Sequence, residues 1–302
     1  MSRPALPLKR DVRRSFGARA ADYDAHAVLQ REIGARLMER LDLVRLQPQR
    51  ILDLGSGTGF ATRAAMERYP DAQVIAVDIA PAMLAAARTR AAAPTLLNRF
   101  FARRSKLAYL CADAEALPLA AESFDLVLSN LTLQWCDAER VIAEAQRVIA
   151  PEGLVMFTTF GPDTLKELRA AFRAADAASH VNDFVDMHDL GDMLVSAGFS
   201  DPVMDQELVT LTYADLRGLF ADLKGIGAHN VLPGRPRGLT GKSRWQRMVA
   251  AYEALRRDNR LPATYEVVYG HAWKPAGRTR KTVDGVQAVS LGEFRRMLRK
   301  AP

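Results

Sequence analysis

Apolar residues follow two patterns along this chain. In residues 8–45 the positions Ile33, Leu37, Leu41 and Val44 recur every three or four residues, the repeat of one helix face, so this stretch reads as helical. Beyond it, short unbroken apolar runs alternate with helical periods. Residues 50–54, 73–78, 107–111, 125–129 and 154–160 read as strands, and 61–69, 82–92 and 138–149 as helices between them, with Pro81 opening the second. Cys111 closes one strand run and Cys136 lies in a similar apolar setting, so both read as buried, reduced thiols. Pro151-Glu-Gly153 marks a turn before the fifth strand. Runs apolar throughout suit strands covered on both faces, which is the environment of a parallel sheet. Right-handed crossovers leave few topologies beyond a doubly wound one.

Further along, helices at 164–175 and 189–197, the latter stopped by Gly198, precede two more strand-like runs at 207–213 and 264–269. About fifty residues separate these runs and read as helical elements inserted into the last hairpin of the sheet, covering a site. The predicted fold class is α/β: a doubly wound, mostly parallel seven-stranded sheet, Rossmann-like, with a helical lid insertion.

Composition narrows the function only slightly. A 302-residue chain with 49% hydrophobic and 25% charged residues is globular, and no apolar run approaches a bilayer-spanning length. The basic N-terminus lacks an apolar run and a cleavage site, so it is not a secretory signal, and a cytoplasmic protein is expected. No Cys/His spacing suggests a metal site. The net charge of +7 is concentrated: residues 235–260 hold eight basic residues against Glu253 and Asp258, and the tail from Lys274 holds eight against Asp284 and Glu293. Such a surface steers acidic partners. The basic runs lack interleaved aromatics for base stacking, which argues against nucleic acid.

The chemistry is carried by Ile51-Leu-Asp-Leu-Gly-Ser-Gly-Thr-Gly-Phe60, where a strand passes through a glycine turn into a helix. Gly55, Gly57 and Gly59 permit a tight turn with positive φ and a close ligand approach. Dinucleotide sites favour G-x-G-x-x-G; here the third glycine comes one residue early and an acid, Asp53, precedes the first. A pyrophosphate beside Asp53 would be repelled, whereas a ligand bearing an ammonium and a sulfonium would not. This sign argument favours S-adenosyl-L-methionine, with Asp53 near its amino-acid end or capping its own turn. Asp78, ending the second strand, can accept both ribose hydroxyls. Ile79 and Met83 can pack on adenine. Asp113 can accept its exocyclic amine, the Ala114 N–H can serve a ring nitrogen, and Asn130 lies at the same rim.

At these residues, and in Phe124-Asp-Leu-Val-Leu-Ser-Asn130, the chain resembles the class I methyltransferases over roughly residues 45–160. A narrower resemblance covers most of the chain: it is similar to the malonyl-acyl-carrier-protein O-methyltransferases of biotin synthesis. That likeness rests on Phe16-Gly-Ala-Arg-Ala-Ala-Asp-Tyr-Asp-Ala-His26, Leu133-Gln-Trp135, Phe160-Gly-Pro-Asp-Thr-Leu-Lys-Glu-Leu168, Asp189-Leu-Gly-Asp-Met-Leu194, Gly225-Ile-Gly-Ala-His-Asn230 and Thr264-Tyr-Glu-Val-Val-Tyr269. It implies methyl transfer to the free carboxyl of a malonyl thioester on an acidic acyl-carrier protein, and a Tyr23 that closes over the cofactor. The same segments resemble a mitochondrial complex I assembly factor associated with arginine hydroxylation. That activity, methylation of another small acid or a quinone, and a cofactor-binding assembly role therefore stay open.

The resulting division is an N-terminal segment, 1–45, closing over the cofactor; a cofactor-binding core, 46–161; the rest of the sheet with its insertion, 162–275; and a loosely attached basic tail, 276–302. A malonyl carboxylate needs a hydrogen-bond donor. The candidates are His180, His229, Asn230, Lys224 and Arg169, with His229 and Asn230 favoured by their place in the insertion. Trp135 is a candidate wall of the substrate channel.

Overall fold

The computed structural model describes residues 6–91, 106–228, 241–276, 282–283 and 286–287. The predicted N-terminal helix is three helices, α1 (Lys9–Gly17), α2 (Tyr23–His26) and α3 (Val28–Arg40), with a closing 3-10 turn at Leu41–Leu43. Packing explains the breaks: Ala20 and Tyr23 turn toward Ala80 and Met83, while Leu37, Met38 and Leu41 pack on the sheet. One straight helix cannot serve both surfaces, and packing rather than propensity fixes helices of this length.

The core runs through β1 (Arg50–Leu54), α4 (Phe60–Arg68), β2 (Gln73–Asp78), α5 (Pro81–Ala91), β3 (Leu107–Cys111), β4 (Phe124–Asn130), α6 (Ala138–Val148) and β5 (Ile149–Phe160). After it come α7 (Lys166–Arg173), α8 (Met187–Ser196), β6 (Ser200–Tyr213), α9 (Leu216–Gly225), α10 (Lys242–Glu253), β7 (Leu261–Trp273) and a small hairpin of β8 (Thr282–Val283) and β9 (Val286–Gln287). The seven-stranded sheet has the order β3-β2-β1-β4-β5-β7-β6. Its first five strands are parallel, and β7 lies antiparallel between β5 and β6. The α9 and α10 helices fall between β6 and β7 in sequence, so the insertion sits in the last hairpin, as the pattern predicts.

The period-two alternation of strands assigns each face its helices. Ile51, Leu126, Leu128 and Met156 pack with Leu37 and Ala65 from α3 and α4. Leu52, Leu54, Val127 and Phe157 point the other way, onto Val141, Ile142 and Ala145 of α6 and Leu190 and Leu194 of α8. A third cluster joins α7, α9 and α10 to Tyr265, Val267 and Tyr269 of β7. Strand order reverses between β1 and β4, and their carboxyl ends open the crevice where ligands bind in such sheets.

Three local readings are corrected. The turn at Pro151-Glu-Gly153 lies inside β5 as an irregularity: Phe124 pairs with Ile149 but Leu126 pairs with Leu154, and Glu152 takes up the extra length at φ +65°. Ser200–Tyr213 is strand throughout, because an edge strand tolerates Pro202. Cys111 is exposed rather than buried, because β3 is also an edge of the sheet. Among the described residues, no helix is long and apolar enough to cross a membrane.

Candidate active site

The glycine turn hangs from the second strand. Gly55 and Ser56 donate their N–H groups to the Val77 carbonyl at 2.8 and 2.9 Å, and Gly57 donates to Asp78 Oδ2 at 2.9 Å. Asp78 Oδ1 accepts from Ala80 N at 2.8 Å. Gly55, at φ +70°, has no room for a Cβ beside the Thr132 side chain. At Gly57, φ +53°, a Cβ would meet no protein atom, yet Gly57 borders a cavity, so its missing side chain leaves space for a ligand. The hydroxyl of Ser56 in the same turn is buried and has no hydrogen-bond partner among the described residues.

That cavity spans about 670 Å³ together with its open mouth. Tyr23, Gly55, Gly57 and Asp78 line it, as do Ile79, Met83, Asp113, Ala114 and Asn130. Nine of the predicted cofactor residues therefore converge. Asp53 and Gly59 do not reach the cavity wall. Gly59, at φ +82°, caps α4. Asp53 is buried and its Oδ2 accepts the Thr62 hydroxyl at 2.5 Å, so its carboxylate caps its own turn. Burial, reinforced by the Asp78 charge, pushes Asp53 up to about 6. Burial likewise raises Asp78, against the lowering effect of its two backbone N–H donors. Two acids desolvated side by side favour a cationic ligand next to them.

The N-terminal helices close this cavity. Phe16 packs 6.4 Å from Tyr23 and edge-on to Trp135 at 5.2 Å, ring centroid to centroid. Burial near Asp78 and Asp24 drives the Tyr23 hydroxyl well above its ordinary value, so it stays neutral. Asn130 is held at both ends, Nδ2 donating to Gln30 O at 2.9 Å and Oδ1 accepting from Thr158 Oγ1 at 2.8 Å. Sequence reasoning missed Lys9. Its ammonium lies 3.0 Å from Asp113 Oδ1 and 2.6 Å from Glu115 Oε1, pinning α1 across the cavity end assigned to adenine.

A second cavity, about 920 Å³ with its mouth, shares Trp135 with the first. Its walls are aromatic and apolar, including Phe160, Phe172, Phe184 and Phe220. Two of the donor candidates line it. His180 stacks on Phe172 with centroids 3.9 Å apart and binds Asp176 at 2.9 Å, and Lys224 stands at the α9 wall. Arg169 does not line it. Its guanidinium donates to the carbonyls of Pro162, Thr164 and Asn182 at 2.7, 3.2 and 3.3 Å. His229 and Asn230 lie outside the described residues. Two contacts tie α9 and its following turn to the N-terminal segment: Ser15 Oγ donates to Gly227 O at 2.8 Å, and His26 lies 3.2 Å from Asp222. On α10, Lys242 and Arg244 are exposed, while Arg247 is spent on the Ala175 carbonyl at 2.8 Å.

Comparison with known proteins places the fold and the family. The family model described as "Methyltransferase domain" matches residues 52–157, from β1 through most of β5. A solved structure of the YcgJ protein from Bacillus subtilis superposes with a TM-score of 0.56 at 16% identity, covering 82% of this chain and 99% of that one, which establishes a common fold. The malonyl-[acyl-carrier protein] O-methyltransferase of Gallionella capsiferriformans is 56% identical over 93% of this chain and 95% of its own length. The protein of the same name from Laribacter hongkongensis is 55% identical over 91% and 93%. Identity of this degree over nearly the full length of both proteins shows that the chain belongs to the malonyl-[acyl-carrier protein] O-methyltransferase family.

Proposed function

We propose that this protein methylates the free carboxylate of a malonyl group carried as a thioester on an acyl-carrier protein, giving the methyl ester that enters biotin synthesis. One observation carries this reading: an acid-lined cavity with a glycine cradle and a larger apolar cavity meet at a single side chain, Trp135. S-adenosyl-L-methionine supplies an electrophilic methyl on a sulfonium. The chain's own residues hold that donor. Asp78 accepts ribose hydroxyls, Ile79 and Met83 pack on adenine, Ala114 offers a backbone N–H, and Asn130 borders the methionyl end. Asp53 contributes its field from beneath the turn.

A malonyl carboxylate is ionised at neutral pH and is itself the nucleophile, so no obligatory general base is required. Tyr23, neutral and half-buried, serves with Phe16 to exclude water and position the reacting groups. Positioning of this kind supplies about 7–11 kcal/mol of barrier reduction. Residues 1–45 act as the cofactor cover and 162–275 as the acceptor-binding part. His229 and Asn230 remain the proposed carboxylate donors, from the segment beyond α9. The exposed Lys242 and Arg244 of α10, with Trp245 packed on Phe220 at the cavity wall, form the face offered to the acidic carrier. Nucleic acid is not a partner in this scheme. Both cysteines are free thiols, which suits a reducing cytoplasm.

The test is incubation of the protein with methyl-labelled donor and either malonyl- or acetyl-carrier protein. Label on the malonyl carrier alone, released by mild alkali as a methyl ester is, supports the assignment. Label on both carriers, on a protein side chain, or on nothing overturns it.

A further inference from the structure

Asn182 is only 9% exposed, yet it lines the second cavity, and its carboxamide oxygen has no hydrogen-bond partner among the described residues. Three other polar side chains around that cavity are occupied. His180 is bound to Asp176, Gln134 donates to Leu131 O while accepting from Thr159, and Thr164 Oγ1 bonds the Glu266 backbone. A buried acceptor without a partner is costly, and such groups are rare unless a ligand or water completes them. The missing partner must be a donor. A malonyl thioester offers none at neutral pH, because its carboxylate and its carbonyl only accept. The arm through which a carrier protein presents a thioester contains two secondary amides, each with an N–H, joined by methylenes that suit a wall of phenylalanines. The cavity is open to solvent on one side, so a longer group can extend out of it. At its rim Lys224 is exposed and has no acidic partner among the described residues, a suitable neighbour for the phosphodiester that ends such an arm.

We propose that the second cavity takes the amide-bearing arm rather than the malonyl carboxylate, and that Asn182 Oδ1 accepts a hydrogen bond from one of the arm's amide N–H groups. This assignment rests on the carboxyl methyltransferase reading and adds a specificity-determining residue to it. The carboxylate end then lies at Trp135, facing the cofactor cavity.

The experiment compares steady-state methylation of three malonyl thioesters by the full chain: malonyl-pantetheine, its analogue with both amides N-methylated, and a simple S-methyl thioester without amides. In the wild type, N-methylation raises KM about tenfold, the size of one buried hydrogen bond, and leaves kcat unchanged. Asn182→Leu raises KM for malonyl-pantetheine by a similar factor, does not alter the S-methyl thioester, and becomes insensitive to N-methylation. Asn182→Ala repeats the measurement, and the wild-type comparison stands even if neither variant folds. Equal losses on all three substrates, or no response to N-methylation in the wild type, would overturn the assignment while leaving the methyltransferase reading intact. A wild type inactive on these thioesters and on malonyl-carrier protein alike would remove both.

Discussion

Substituting Asp78 by Asn keeps the side-chain volume but removes a charge and one acceptor from the strand end that lines the glycine-turn cavity. In the native site each carboxylate oxygen already accepts one backbone N–H, from Gly57 at 2.9 Å and from Ala80 at 2.8 Å, leaving a further lone pair on each for a ribose hydroxyl. Loss of a charge-assisted bond of this type costs about 1.5–3 kcal/mol, or roughly 10- to 150-fold in cofactor Kd. The substitution also sets the new amide NH2 against one of the two backbone donors, which costs stability of its own, about 1–3 kcal/mol. Binding and folding must therefore be read separately. Calorimetric titration with S-adenosylhomocysteine gives the first, and thermal unfolding without ligand gives the second. A 2′-deoxy analogue of the same ligand completes the cycle: it should bind more weakly than the parent to the wild type and about equally to Asp78→Asn. A folded variant whose affinity stays within about threefold of wild type, or under ~0.7 kcal/mol, would refute ribose recognition by Asp78.

Three further outcomes follow from the same geometry. Asp53 has its pKa raised from 3.8 to about 6 by burial and by Asp78, so the folded state holds its proton more tightly than the unfolded chain. The stability this provides is present at low pH and is lost as pH rises through about 6. Asp53→Asn should therefore gain stability relative to wild type between pH 4 and 7, and a Tm difference that is flat with pH would contradict this. Gly57→Ala should lower Tm only through the about 1–2 kcal/mol of left-handed strain that its φ of +53° imposes, while abolishing cofactor binding, because its Cβ enters the cavity. Gly55→Ala should unfold the protein at markedly lower temperature, because its Cβ meets Thr132 on top of about 1–2 kcal/mol of left-handed backbone strain. Equal effects of the two alanines on binding and stability would remove the distinction. Reversing the charges at Lys242 and Arg244 should raise KM for malonyl-carrier protein at low salt and spare the coenzyme A thioester, with the defect shrinking as salt screens it. Unchanged carrier kinetics would exclude α10 as the docking face.

Much of the candidate cofactor site is legible because it is local. Glycine spacing, the acid at the end of β2 and the Asp113-Ala114 pair each sit within a residue or two of a strand end, and strand ends follow from apolar runs. Asp53 shows where locality stops: the sequence leaves it between ligand and cap, and only the position of Thr62 on α4 puts its carboxylate against the helix. Lys9 is invisible to sequence reading because its partners, Asp113 and Glu115, lie over a hundred residues away and no periodicity marks an ion pair. The Ser15–Gly227 bond, joining the N-terminal cover to the turn after α9, is equally long-range. The exposure of Cys111 is hidden for a related reason: an apolar run identifies a strand, but whether that strand is central or an edge depends on sheet order. Trp135 was recognised as a candidate wall, yet its place between two cavities emerges only when β4, α1 and α7 come together.

A crystal structure of the protein with S-adenosylhomocysteine and malonyl-pantetheine tests the two-cavity arrangement most directly. The sulfur should lie in the glycine-turn cavity with Asp78 on the ribose, a malonyl carboxylate oxygen should face it beside Trp135 at a distance that admits a transferring methyl, and the amide arm should run past Asn182. A carboxylate buried at the far end of the phenylalanine-lined cavity, or a nucleoside bound away from Gly57, would contradict it.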